Sequence, residues 1–571
     1  MTRVNRTLRV LPAVPFLLLA AACSPDEPSR ADSQPSFVTP TPASAAPLTG
    51  DPAALAARAV AAMSDADLAG EVLVPYAYGN SATTVDAASK AGNQKLAGVD
   101  TPAEMVAKYH LGGLILVSFS AADPTSTTNP TTNVDDPKQV RALTDGLQAA
   151  ARALPGGAPM MIGTDQEYGV VTRVTNGVTL LPAAMAAGAA GQPRLTEAAW
   201  HAAGEELAAM GLTVDFAPDA DTLGPPANTV IGSRSFGGDA KANAAQVTAA
   251  VDGLQSAGIT AGLKHFPGHG HTSGDSHETL PVVAQSHDAW TRQDLPPFQA
   301  GIKAGAGVVM SGHLDVPSLD KGVAATFSHK VMTDVLRGQL KFTGVAITDA
   351  MNMPPAMKWP AGEAAVRALN AGNDMLLMPP DIGAARDGIV AALKDGSLKK
   401  SRLVEAVTRI LTLNFRAAER KRPDLSTVNT PAHVQAVAAL DAASITVLRG
   451  KCDGPLVTGP VTVSTEAVRA TARDNLTKAL QDEGIKIGAG GAVIRLVGYG
   501  DKLSDLDANA DVTVMMDTPY LLSRAKSGTL LASYSSSKLS LKALAAVLAG
   551  KAKATGRSPV AVAGLPRTAC S

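Results

Sequence analysis

Between residue 51 and about residue 420 the chain alternates two hydrophobic patterns. Segments 53–63, 137–154, 195–210 and 240–257 space their apolar residues three and four apart, which predicts amphipathic helices. Between such segments lie short apolar runs at 72–75, 113–117, 160–164, 213–217, 259–263, 307–311, 344–348 and 374–378. Runs of this length, flanked by polar residues or glycine, predict strands covered on both faces, as in a parallel sheet. Eight strands with helix-length spacers predict an α/β fold of the (β/α)8 TIM-barrel type over residues 51–420. The pattern fades after a helix at 403–419. Arg420-Lys421-Arg422-Pro423-Asp424 and the Ser, Thr, Asn and Pro that follow predict a linker at 421–440. A second α/β pattern occupies 441–571, with strands at 444–448, 456–458, 493–497 and 512–516 and a helix at 539–548. It predicts a smaller α/β sandwich domain.

Polar residues cluster just after these strands. Asp165-Gln166-Glu167 follows the third, and Asp219 and Asp221 follow the fourth. Lys264-His265 follows the fifth, His313 the sixth and Asp349-Ala350-Met351-Asn352-Met353 the seventh. A lone aspartate after a strand is usually a helix cap. Five sets at the same end of a barrel converge on one mouth, where parallel α/β folds hold their ligands.

The densest set is Lys264 to His277, with four histidines, a lysine and an aspartate among glycines and a proline. Three readings stand side by side. It can be a solvated loop rich in histidine. It can be a metal site, although Pro267 and Gly268 between His265 and His269 break the helix that an i, i+4 ligand pair needs. It can be an acid–base loop in which Asp275 and His277 form a carboxylate–imidazole pair. Glycines at 268, 270 and 274 leave it free to move as a lid. Neither a phosphate-binding glycine loop nor a helical zinc motif occurs, so no cofactor and no metal are expected.

Composition narrows the classes. A chain of 571 residues exceeds one ordinary core. Net charge of −1 argues against a nucleic-acid partner. Aromatics at 4% leave no long sugar-stacking platform, though a small pocket remains open. Arg3, Arg6 and Arg9 precede an apolar run at 10–22 that is too short to span a bilayer. Leu19-Ala20-Ala21-Ala22-Cys23 resembles a bacterial lipobox, with Cys23 the lipidated residue. Residues 1–23 are thus expected to be a lipoprotein signal peptide, and the Pro-, Ser- and Thr-rich 24–50 a disordered tether with a reach of about 30 Å. The protein is expected outside the cytoplasm, anchored by lipid to the bacterial cell membrane. Cys452 and Cys570, the other two cysteines of an exported chain, are expected to pair.

Lys264-His265-Phe266-Pro267-Gly268-His269-Gly270 with Asp275-Ser276-His277, and Ile347-Thr348-Asp349-Ala350-Met351-Asn352-Met353, resemble glycoside hydrolase family 3. The likeness is to its β-N-acetylglucosaminidase, NagZ-like branch. Gly163-Thr164-Asp165-Gln166-Glu167, Ile231-Gly232-Ser233-Arg234-Ser235-Phe236 and Val309-Met310-Ser311-Gly312-His313 extend it. It covers about residues 63–413 and, more weakly, the C-terminal portion. The resemblance implies Asp349 as nucleophile, His277 as general acid/base oriented by Asp275, and sugar contacts from Asp165, Arg173, Arg234, Lys264 and His265. One departure stands out: Tyr168-Gly169-Val170 replaces the family's Gly-Gly-Arg after Glu167, while Arg173 keeps its place.

The activity so implied is that of a retaining exo-β-N-acetylglucosaminidase acting as a monomer on a small glycan or muropeptide from peptidoglycan. A phosphorylase or a β-glucosidase of the same family is the alternative, because the same residues serve either. A non-catalytic sugar-binding lipoprotein is a further alternative, which has no use for Asp275, His277 and Asp349 together.

Overall fold

The computed structural model describes residues 50–570, apart from 121, 122, 124, 126, 127, 225–227 and 273. The expected signal peptide, Cys23 and most of the tether lie outside the described residues.

Eight short strands appear where the apolar runs predict them: β1 Leu73–Val74, β2 Gly113–Leu116, β3 Met161–Thr164, β4 Val214–Asp215, β5 Thr260–Phe266, β6 Val308–Ser311, β7 Val345–Thr348 and β8 Leu376–Leu377. Strands β2 to β7 form a curled parallel sheet in sequence order, and β1 pairs in parallel with β8. The two sheets meet on both sides. Ile347 bridges to Met375 beside β8, and the Ile115 amide donates to Pro75 O at 3.0 Å beyond β1. The result is a TIM-like α/β barrel.

Every residue of these strands is buried, which is why they carry no alternating polar positions. Gly163 in β3 shows the tightness of the interior, since a Cβ there would lie 2.7 Å from the Phe216 ring. Helices are capped by the residues that precede them. Asp136 accepts amides of the helix Pro137–Arg152, and Asp239 caps Ala240–Ser256.

Strand β5 is longer than the run at 259–263 suggests, because Lys264, His265 and Phe266 continue it. Their charges read as the start of a loop. In the fold they are strand residues facing a polar mouth.

The segment expected as a linker at 421–440 carries a helix, Pro431–Ser444. Thr430 caps it through the His433 amide and Pro431 occupies its first turn, where a missing N–H costs nothing. A five-stranded sheet follows: β9 Thr446–Arg449, β10 Val461–Ser464, β11 Ala492–Val497, β12 Val512–Met515 and β13 Thr529–Ala532. Its order is β10-β11-β12-β13-β9, with only β9 antiparallel. The run at 456–458 is therefore not a strand. Three elements went unread, the strands β10 and β13 and the helix Ala470–Asp482.

Helices Ala470–Asp482 and Lys538–Leu548 cover one face of this sheet around Leu476, Leu480 and Leu544. The other face packs Val497, Met515 and Leu530 against Met185, Leu223 and Ile231 of the barrel. Barrel and sheet form one compact unit. Cys452 and Cys570 are joined by a disulfide, with 5.4 Å between their Cα atoms.

Candidate active site

A pocket with about 470 Å³ of empty space opens at the C-terminal ends of the barrel strands. All five residues expected to meet a sugar line it: Asp165, Arg173, Arg234, Lys264 and His265. Asp349 and His277 line it too. Asp275 reaches it through His277.

Lys264 and His265 are consecutive in β5, yet both line the cavity. The pairing of β5 with β6 shifts register between Leu263 and Phe266, which breaks the usual alternation of faces. Lys264 Nζ lies 2.6 Å from both Asp165 Oδ1 and Glu167 Oε1. Arg234 grips Glu167 with two nitrogens, Nε at 2.6 Å and Nη2 at 2.9 Å. Arg173 is tied to Asp123, to Thr125 Oγ1 at 2.8 Å and to Asp165 at 3.5 Å. Three cations thus stand against three carboxylates in one connected network. Burial penalises the charges on Lys264, Arg173, Arg234 and Glu167, but the partners win. Lys264 is held above its ordinary value by Asp165 and Glu167, and Glu167 well below its own by Arg234 and Lys264. Lys264, Arg173, Arg234 and Glu167 therefore stay ionised across the neutral range.

His265 is fixed by a different pair. Its Nδ1 lies 2.8 Å from Asp221 Oδ2, so Nδ1–H donates there. Its Nε2 faces Arg234 Nη2 at 3.2 Å and accepts from it. The ring is therefore neutral, in agreement with burial and the Arg234 charge pushing its pKa down to about 4. Asp221 also accepts the backbone amides of His265 and His269. Burial raises Asp221 to about 6 all the same.

Asp219, Asp221 and His265 bring one potential ligand atom each within 4.8 Å of one another. Two of the three already serve each other, while Asp219 Oδ2 has no hydrogen bond among the described residues. Asp221 holds the His265 ring, and Asp219 Oδ2 stands 3.7 Å from Arg234 Nη2. The second histidine of the metal reading, His269, is turned elsewhere, to Thr272 Oγ1 at 2.8 Å and Ser276 Oγ at 3.1 Å.

Asp349 follows β7 and has no cationic side chain bonded to it among the described residues. Its Oδ1 accepts the Ala350 amide at 2.7 Å, and the rest of the carboxylate is partly exposed to the pocket. Burial pushes its pKa up. The imidazoles of His265, His313 and His277 and the Ala350 amide outweigh that and hold it below the usual carboxylate value. His313 sits behind it, with Nε2 3.0 Å from Ala350 O and Nδ1 2.9 Å from Thr326 Oγ1.

On the loop after β5, Asp275 Oδ1 accepts both the His277 amide and the His277 Nδ1–H, each at 2.8 Å. This fixes the tautomer and leaves Nε2 as the nitrogen available to the pocket. Burial raises Asp275 and the His277 bonds more than offset it, so its carboxyl is lowered.

The base of this loop is not the free lid its glycines suggest. Gly268 adopts φ +125°, and a Cβ on Gly270 would meet Thr222 O at 1.9 Å. These glycines serve close packing against the loop after β4. His271, anchored to Asp294 at 2.8 Å, holds the same segment from the other side.

Several pocket groups carry no sequence signal of their own. Asp123, Thr125, Thr128 and Asn129 come from the loop after β2, a Ser/Thr-rich stretch that reads as solvated. Its position after a strand end is the one clue it offers. Glu167, the hub between Lys264 and Arg234, was visible as a titratable residue but not as a hub.

An anchored imidazole–carboxylate pair, a free carboxylate and a cage of charged hydrogen-bonding groups share one barrel mouth. Fold and pocket define a glycoside hydrolase of the TIM-like class. Residues 88–413, more than half of the chain, match the Glycosyl hydrolase family 3 N terminal domain, and the chain belongs to that family.

Beta-hexosaminidase A of Pseudoalteromonas piscicida is 33% identical over 384 residues, which are 62% of this chain and 61% of that relative. The chain thus spans about three-fifths of that relative's length. A Beta-hexosaminidase of Pseudomonas aeruginosa is 37% identical over 265 residues, 45% of this chain and 76% of that one. Among solved structures, a glycoside hydrolase family 3 beta-N-acetylglucosaminidase from Paenibacillus sp. str. FPU-7 superposes with a TM-score of 0.75 at 29% identity. It covers 88% of this chain and 99% of that one.

Proposed function

We propose that the protein is a retaining exo-β-N-acetylglucosaminidase. The observation that carries this reading is the Asp275–His277 pair, held at 2.8 Å, on the rim of the pocket that also exposes Asp349. The names of the related β-hexosaminidases point the same way. The pocket lining offers a terminal sugar contacts from Asp165, Arg173, Arg234, Lys264 and His265.

In the first step the Asp349 carboxylate attacks the anomeric carbon as the glycosidic C–O bond breaks. Protonated His277 gives its Nε2 proton to the departing oxygen, leaving a glycosyl ester on Asp349. In the second step neutral His277 takes a proton from water, and the resulting oxygen attacks the same carbon. Asp349 is released as carboxylate with the sugar configuration retained. Asp275 orients the ring and stabilises the imidazolium, as the aspartate of a serine-protease triad does. The lowered pKa of Asp349 keeps the nucleophile ionised throughout.

The export signal and Cys23 support a lipid-anchored enzyme outside the cytoplasm. There it would remove GlcNAc from peptidoglycan-derived fragments, with a catalytic barrel over 51–420 and a C-terminal α/β domain over 441–571. The test is hydrolysis of an aryl β-GlcNAc beside an aryl β-glucoside, with the product anomer read by NMR before mutarotation. Preference for the glucoside, or an inverted first product, overturns the reading. Activity that disappears on exhaustive chelation and returns with zinc would restore the metal reading of the histidine loop.

A further inference from the structure

The end of the barrel opposite the pocket is closed by two helices. Lys400–Glu419 crosses beneath the strands. Its Asn414 Nδ2 donates to Gly112 O, just before β2, at 3.5 Å. Leu413 lies 3.2 Å from where a Cβ on Gly307 would stand, just before β6. Arg420, one residue past its end, lies 3.7 Å from the corresponding point on Gly258, before β5. Helix Pro52–Ala61 packs against it, and Ala59 comes within 3.3 Å of the same point on Gly156, before β3. The described chain therefore enters the fold at the end that faces away from the mouth.

That end carries unopposed positive charge. A groove is lined by Lys341, Arg409 and Arg416 over an apolar floor of Ile302, Phe342 and Leu413. Arg409 is engaged by Asp374 and Glu405. Asp374 also takes Arg337 and Arg402, so this buried acid serves three guanidiniums. Lys341, Arg416 and Arg420 are exposed and make no ion pair among the described residues. Burial, and then the Arg416 charge, hold Arg420 below its ordinary value. Glu419 lies between them in sequence and pairs with neither.

We infer that this face, around Lys341, Arg416 and Arg420, docks on an anionic phospholipid surface and turns the pocket mouth away from it. The inference rests on the exported, membrane-anchored placement proposed above. A chain arriving from a lipid at Cys23 reaches the fold on the side that carries the free cations. Phosphate headgroups supply the missing counter-charge, and each cation near an anionic leaflet contributes about fivefold to partitioning at low salt. The substrate pocket then opens toward the space beyond the membrane.

The experiment compares full-length chains that all carry Cys23→Ala, so that acyl chains do not dominate. Partitioning is measured onto vesicles of phosphatidylglycerol with phosphatidylcholine and of phosphatidylcholine alone, at low and at high salt. The parent should prefer the anionic vesicles at least tenfold, and salt should erase most of that preference. Lys341→Glu/Arg416→Glu/Arg420→Glu should lose it, and the matching alanine triple should lose part of it. Both should keep the parent's melting temperature and its hydrolysis of a soluble aryl β-GlcNAc. A control with the same charge change elsewhere, Lys526→Glu/Lys538→Glu/Lys542→Glu, should retain the preference. A parent without lipid preference, or a control that loses as much as the test variant, overturns the inference. Absent hydrolysis by the parent would instead count against the glycosidase reading, while the partitioning remains readable.

Discussion

At the mouth of the barrel, Lys264, Arg234 and Arg173 are buried with Asp165, Glu167 and Asp123, each charge answered by another within a few ångströms. At the opposite end, Glu71 is only 5% exposed, with no hydrogen bond to its carboxylate among the described residues, and burial raises its pKa to about 8. The same eight strands thus end in a paired ionic cage on one side, while the other side includes a lone, largely neutral acid. Charge is kept buried only where it is matched, in the cage at the mouth and again at Asp374, which takes three guanidiniums at the other end. Burying an unpaired carboxylate is costly, and the protein avoids the cost at Glu71 by keeping the proton.

The contrast predicts that substitutions at the mouth remove activity, whereas those at the other end alter stability alone. Asp349→Ala should lower kcat by at least about 10³-fold, roughly 4 kcal/mol, with the melting temperature unchanged. Retention of more than about a tenth of kcat would mean that another group forms the covalent bond.

His277→Ala should lose about 10²- to 10³-fold on substrates whose leaving group is another sugar, and far less on aryl glycosides with acidic phenols. Asp275→Ala should follow the same trend more weakly. An equal loss on every leaving group would make His277 a binding residue.

Lys264→Met should cost both functions. It leaves Asp165 and Glu167 without their shared cation, and removal of one partner from a buried ionic group costs about 3–5 kcal/mol. Urea denaturation measures this, and a loss of activity without a loss of stability would contradict the cage described here.

The smallest effect is expected at Glu71. Its folded pKa of about 8 lies above the ordinary glutamate value, so the folded state binds more protons between those two points. The stabilising contribution of the neutral form is complete below the ordinary value and is lost as pH rises through about 8. Glu71→Gln should therefore flatten the decline in stability between pH 5 and pH 8 by on the order of 2 kcal/mol, and leave kcat/KM untouched. Thermal unfolding across that range is the check, and a steeper decline in the variant would refute it.

What could be read from the sequence divides along similar physical lines. The barrel strands were legible because each is a short, fully buried apolar run between helical periods. In the C-terminal region, Leu456-Val457-Thr458 has the composition of a strand without being one, whereas the strand β10 begins only after Pro460. The strand β13, Thr529–Ala532, is too short to show a period. Thr430 and Pro431, read as linker composition, are a helix cap and first turn. Within the site, single residues were visible because strand ends mark them. Their partners were not. Lys264 meets Asp165 across 99 positions and Arg234 meets Glu167 across 67, separations that no local pattern encodes.

The sharing of Glu167 between Lys264 and Arg234 also bears on how such a pocket can diversify. No member of the cage can be exchanged alone without stranding a charge, so its variation over generations must proceed by simultaneous or compensated replacements, which are rare. Thr128 and Asn129, on the loop after β2, belong to no such closed set and can drift one at a time. New substrate preferences in descendants of this chain should accumulate along that loop, while the cage is inherited as a single unit.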